Sequence, residues 1–139
     1  MIATRKATAQ DQSQIRRMIA AVRLDPTSLK WRHFLLAHDT ATGALIGCAQ
    51  IKRHRDCNEF GSLAVLPAYR KRGVGGRLLR ELVQGESGPL YLVCLERMRP
   101  YYERFGFRLT LLSESPRTLK IKQILPRMFG VRIVCMRIN

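Results

Sequence analysis

The stretch LAVLPAYRKRGVGGRLLREL, Leu63 to Leu82, decides how the rest of the chain is read. It opens as an apolar strand, stops at Pro67 and turns basic at Arg70, Lys71 and Arg72. It then passes Gly73, Gly75 and Gly76 and resumes with Leu78, Leu79, Leu82 and Val83 at helical spacing. A helix that opens this way leaves its first amides without carbonyl partners, and those amides carry the positive end of the helix dipole. Glycines lack the Cβ that would hold an anion off the backbone, and three cations line the rim. Together these are the parts of a pyrophosphate cradle. A flexible glycine turn with solvated cations is the plainer reading of the same residues. The spacing matches neither the Gly-x-x-x-x-Gly-Lys-Ser/Thr of a P-loop nor the Gly-x-Gly-x-x-Gly of a dinucleotide fold.

On the N-terminal side, residues 2–8 suggest a strand. Residues 8–22 suggest a helix, with Ile15, Met18, Ile19 and Val22 on one face and Thr8 or Asp11 as cap. Pro26 ends that region. HFLLAHD and ALIGCAQIKR, joined by a turn at Gly43, predict a hairpin, and EFGSLAVL predicts a third strand buried on both faces. Beyond the glycine turn, PLYLVCL predicts a strand. PYYERFG predicts a short helix with Pro100 in its first turn and Gly106 past its end. FRLTLL and VRIVCMRI predict the last two strands. SESPRTLKIKQILPRMFG between them is ambiguous, since it starts like a capped helix but contains Pro126. The order is that of a mixed α/β fold, with an antiparallel first half and a helical crossover after it.

With 139 residues, 46% of them hydrophobic, the chain is of single-domain size and can bury a core. No apolar run approaches the roughly 20 residues of a membrane span. The opening MIATRKATAQ has no apolar signal core, so a cytoplasmic protein is expected. Cys48, Cys57, Cys94 and Cys135 form no CxxC pair, and His33, His38 and His54 show no ligand spacing, so no metal is expected. The net charge is +15, and 19 of the 25 basic residues are Arg. Arg suits phosphates and carboxylates. Here it is spread from Arg5 to Arg137, as on a generally solvated basic surface that attracts nucleic acid or anionic membranes non-specifically.

The order Arg70-x-x-Gly73-x-Gly75 after LAVLPAY resembles the signature of the GNAT superfamily of N-acetyltransferases. PYYERFGF, Pro100 to Phe107, resembles the Tyr-x-x-x-Gly-Phe segment of the same superfamily, one strand later. LDPTSLKWRHFLLA and CAQIKRHRD are similar to a compact bacterial subgroup, which assigns no substrate. The resemblance implies one N-acetyltransferase domain over residues 1–139. Its sheet would be central, mixed and mostly antiparallel, flanked by helices, with a central strand pair splayed for acetyl-CoA.

The resemblance also implies roles for particular residues. The coenzyme A pyrophosphate would rest on the backbone of Arg70, Lys71, Arg72, Gly73, Val74, Gly75 and Gly76. The pantetheine arm would pair with Leu63, Ala64 and Val65, and the amide near Ala64 would face the thioester oxygen. Glu59, counted onto the same pleat face as Gly61, Leu63 and Val65, would take a proton from the attacking amine through water; a surface or hairpin-edge glutamate is the alternative. Tyr102 would protonate or hold the departing sulfur, the alternative being a core aromatic beside Tyr101 and Phe105. Leu95 stands where many relatives carry Asn. A covalent route through Cys94 is not expected, because nothing near it in sequence activates it.

The implied reaction moves an acetyl group to a primary amine by direct attack. The acceptor is a small amine or a peptide or protein amine, selected by residues 20–32 and 112–130. Two other functions are open: a basic nucleic-acid-binding module, which lacks a recognisable motif, and an inactive acyl-CoA-binding domain. No specific nucleic acid and no membrane insertion are expected. Exposed late strands often pair in the superfamily, so a homodimer is one expected assembly.

Overall fold

The structure, a computed structural model, describes residues 1–139. Its elements run β1 (Ile2–Lys6), α1 (Gln12–Ala21), β2 (Phe34–Asp39), β3 (Leu45–Arg53), β4 (Asn58–Val65), α2 (Val74–Gln84), β5 (Leu90–Leu95), α3 (Arg99–Glu103), β6 (Arg108–Thr110), α4 (Arg117–Arg127) and β7 (Ile133–Ile138). The seven strands are ordered β1-β2-β3-β4-β5-β7-β6. β1 and β2, β2 and β3, β5 and β7, and β6 and β7 pair antiparallel. β4 and β5 are parallel, with Glu59 opposite Tyr91. This is the mixed, mostly antiparallel α/β sheet that the sequence predicts. Contacts divide the chain into two compact units: Met1–Lys52 with Gly61–Gly85, and Arg53–Phe60 with Glu86–Asn139.

In the first unit, Thr8 and Asp11 close the 3-10 turn Ala9–Asp11 that leads into α1, and Asp11, one of the two expected caps, stands at the N-cap of α1 without a side-chain cap bond. The Thr8 amide donates to Asp11 Oδ2 at 2.7 Å, and Arg5 forks onto both Asp11 oxygens at 2.8 Å. That guanidinium, with the Thr8 amide, holds the Asp11 carboxyl well below the usual carboxylate range. Ile15, Met18 and Ile19 then pack on Phe34, Leu36, Cys48 and Ala64. Each such large apolar side chain contributes about 1.5–3 kcal/mol on burial. The β2–β3 turn closes through Asp39 N–H to Ala44 O at 3.0 Å, and Gly43 takes the left-handed φ of 74° that the turn requires.

α2 seats on the same sheet. A Cβ on Gly47 of β3 would lie 3.0 Å from Val74 Cγ1 and 3.1 Å from Ala64 O, a tight fit that would require the helix start or β4 to give by a few tenths of an ångström. Thr4 Oγ1 donates to Glu81 at 2.7 and 2.9 Å, tying the helix to β1. Leu78 and Leu79 are buried, and Leu82 and Val83 are half-buried.

Strand β4 departs from the sequence reading. Ser62 has φ 54°, a left-handed value rare for serine, and such a residue inside a strand marks a bulge. Counting by twos from Glu59 therefore does not carry past Ser62 to Leu63 and Val65. Nor is the strand buried on both faces: Gly61, Ser62, Leu63 and Val65 are half-buried, whereas β3 is buried from Ile46 to Lys52.

In the second unit, β7 lies between β5 and β6. The ambiguous segment is helix α4. Pro126 is its penultimate residue, so the missing N–H removes a bond only in the last turn. Ser115 does not cap the helix by its side chain. Its Oγ donates to Leu111 O at 2.9 Å and accepts from Gln123 at 3.0 Å. β6 stops at Thr110, and Leu111 and Leu112 are exposed rather than part of a strand. No helix is long and apolar enough to cross a membrane.

Candidate functional site

The glycine turn lies in the first unit. After β4 the chain makes a 3-10 turn at Pro67–Tyr69, and Lys71 and Gly73 then take left-handed φ values of 64° and 80°. Gly73 is the residue before the first turn of α2, and its carbonyl accepts from Arg77 N at 3.0 Å. The amides that follow open the helix and have no partner within it. Left-handed residues alternating with right-handed or extended ones turn successive N–H groups to one side, which makes an anion nest. A Cβ on Gly73 would meet nothing within 4 Å, so the requirement for glycine there is conformational rather than steric.

Arg70, Lys71 and Arg72 are exposed at this turn, while Val74 and Gly76 are buried. Arg70 Nε donates to Val65 O at 3.2 Å. The Arg72 guanidinium lies 5.2 Å from the centre of the Tyr69 ring, whose hydroxyl donates to Asp39 at 2.9 Å. The turn is thereby buttressed from β2 and from the end of β4. The Leu66 amide donates to Ile46 O at 2.9 Å, so that end stays joined to β3, and Ala64 is buried.

Behind the bulge lies a buried polar group that the sequence reading did not identify. Gln50 on β3 donates from Nε2 to Ser62 Oγ at 2.8 Å and to Ser28 O at 3.1 Å. Its Oε1 is buried with no hydrogen-bond partner. Two residues along, Lys52 is buried, with Asp25 3.7 Å away. Polar side chains two apart in an otherwise buried strand, as in CAQIKR, are the signal that could have found them.

Glu59 lies in the second unit and is only 3% exposed, which removes the surface-glutamate alternative. Lys122 Nζ donates to its Oε1 at 2.7 Å, and His54 Nε2 lies 2.7 Å from the same oxygen. Asp56 accepts from the amide and hydroxyl of Thr118 at 3.0 and 2.7 Å, so the β3–β4 turn is tied to α4 through this pair and β4 through Glu59 and Lys122.

Tyr102 sits on α3 in the second unit. Its ring is edge-on to Phe60, Tyr101 and Phe107 at 6.4, 5.1 and 6.2 Å. Burial, with smaller effects from Cys94 and Tyr101, raises its phenol above the ordinary tyrosine value, so it stays protonated at neutral pH. Gly106 ends the turn after α3 with φ 97°, as the PYYERFGF motif requires. Burial pushes the Cys94 thiol up to about 11, and all four cysteines are free. No group of three or more His, Cys, Asp or Glu residues is placed to hold a metal.

Residues 30–109 match the family model of the GNAT acetyltransferase domain. No match was found among curated proteins. Among solved structures, N-acetylglutamate synthase from Neisseria gonorrhoeae, complexed with coenzyme A and N-acetyl-glutamate, is 23% identical with a TM-score of 0.77; the match covers 100% of this chain and 35% of the synthase. The chain thus spans about a third of that protein. Rv2747 from Mycobacterium tuberculosis, in complex with CoA, is 17% identical with a TM-score of 0.74, and 98% of each chain is covered. The ribosomal-protein-S18-alanine N-acetyltransferase from Escherichia coli is 15% identical with a TM-score of 0.70, with 99% and 93% covered.

Proposed function

The chain belongs to the GNAT acetyltransferase family, and from that premise we propose that it uses acetyl-CoA to acetylate a primary amine by direct attack. The observation that carries the proposal is the turn at Lys71 to Gly76. Two left-handed residues and a helix start present backbone amides among three exposed cations. A diphosphate is the anion such a nest and dipole suit. We take residues 1–139 as one catalytic domain, since the matched residues 30–109 draw on both compact units. The free cysteines accord with a reducing compartment such as the cytoplasm.

In this scheme the backbone of Arg70 to Gly76 holds the pyrophosphate. The end of β4, Leu63 to Val65, offers main-chain groups to the pantetheine arm, and the Ala64 amide donates to the thioester oxygen. The amine nitrogen bonds to the acetyl carbon as the carbon–sulfur bond breaks. Glu59 takes the amine's proton through water; Oε1 is anchored by Lys122 and His54, and Oε2 is the oxygen assigned to the proton. Tyr102 gives its phenolic proton to the departing sulfur. The acceptor is assigned to the polar group of Gln50, Lys52 and Ser62 beneath the segment that contains Ser28.

The test is release of coenzyme A thiol in the presence of a panel of small amines and amine-bearing peptides. Amine-dependent release is expected. Binding of acetyl-CoA without release for any amine would favour an acyl-CoA-binding domain without turnover.

A further inference from the structure

Helix α4 carries its apolar stripe on the wrong side for a globular protein. Ile121, Ile124, Leu125 and Met128 recur at helical spacing and are 61%, 48%, 55% and 75% exposed; Phe129 follows at 80%. The positions that α4 buries are Leu119 and Gln123, and Gln123 is there held by hydrogen bonds to Ser115 Oγ and Leu119 O. A helix ordinarily turns its apolar stripe to the core. Here the buried side includes a satisfied amide, and the oily side faces out.

The charge around the stripe selects its partner. From Ser115 to Asn139 the chain has Arg117, Lys120, Lys122, Arg127, Arg132 and Arg137, and no Asp or Glu; Lys122 pairs with Glu59 and Arg132 with Glu96, and Arg117, Lys120 and Arg127 lie on α4 with the stripe. A second copy would bring the same cations, and a further charge of +15, against the first. A side chain as exposed as Phe129 stands clear of its own fold. A protein partner would need a matching pocket for it, whereas a fluid interface needs none. Apolar side chains on a helix rich in Lys and Arg are the composition of a segment that lies in a bilayer interface, and anionic lipid headgroups attract such cations.

We propose that the face formed by Ile121, Ile124, Leu125, Met128 and Phe129 docks the protein reversibly on an anionic phospholipid surface. The side chains enter the headgroup–acyl boundary, and Arg117, Lys120 and Arg127 meet the phosphates. The association is peripheral and independent of the acetyl-transfer chemistry.

Co-sedimentation of the full chain with vesicles tests it. Phosphatidylcholine mixed with phosphatidylglycerol should pellet the protein, and phosphatidylcholine alone should not. The double variant Met128→Ser, Phe129→Ser should lower partition to the mixed vesicles about tenfold. Phe129→Trp should retain binding and shift its emission to the blue on those vesicles. Three results would overturn the proposal: no binding to mixed vesicles; equal binding of wild type and the double serine variant, which would reduce the effect to bulk charge; or an unshifted Phe129→Trp spectrum. A concentration-dependent dimer that the serine variant dissolves, without vesicle binding, would make a second copy the occupant instead.

Discussion

Gly47 of β3 and Val74, the first residue of α2, pack closely: a Cβ at Gly47 would stand 3.0 Å from Val74 Cγ1, tighter than an ordinary contact. The start of the helix is thus placed against the sheet by an absent methyl group. Gly47→Ala should destabilise the fold by about 1–3 kcal/mol, as overpacking does, and should weaken acetyl-CoA binding by moving the helix start. Urea denaturation and a cofactor titration check the two effects. An alanine variant of unchanged stability and affinity would mean that the contact relaxes without consequence.

Glu59 has two separable roles, and two variants distinguish them. Lys122→Met leaves the buried carboxylate with one fewer donor and should cost about 2 kcal/mol of stability. Glu59→Gln should lower kcat roughly 10²-fold or more if the carboxylate accepts the amine's proton. A Gln variant that loses stability but keeps kcat would reduce Glu59 to an anchor for α4.

Tyr102→Phe keeps the ring among Phe60, Tyr101 and Phe107 and removes only the hydroxyl. Stability should stay close to wild type, while kcat falls more than KM for acetyl-CoA rises. Because the phenol is held above its ordinary value, the wild-type rate should show no loss from its ionisation as pH approaches 10. An unaltered kcat in the Phe variant would remove the acid role.

Cys94 should be dispensable. Its thiol is raised to about 11 by burial, so the thiolate forms only as pH climbs towards that value and is scarce at neutral pH. Cys94→Ala should retain kcat within about twofold, and no rate limb should appear near the ordinary thiol value. Loss of activity in the alanine variant, with the fold intact by circular dichroism, would point to a covalent step.

What the sequence showed depended on how local the physics is. The turn from Arg70 to Gly76 was legible because backbone conformation and a helix start are local matters, and a run of glycines and cations announces them. Asp11 at the start of α1, one of two caps the sequence offered, was legible for the same reason. The contacts of Glu59 were not, because Lys122 lies 63 residues away and only the fold unites them. The bulge at Ser62 was hidden because serine gives no sign of a positive φ. α4 was obscured because its apolar period faces outward: a pattern that ordinarily reports a core here reports a surface, and Pro126 disguised the helix end.

The central claim is that main-chain amides at the start of α2 grip the diphosphate of acetyl-CoA. Isothermal titration of acetyl-CoA into wild type and into Gly75→Glu, which sets a carboxylate among those amides, tests it most directly. Saturable one-to-one binding by the wild type, abolished in a folded glutamate variant, is the predicted result. Equal affinity in both proteins, or no heat in either, would contradict it.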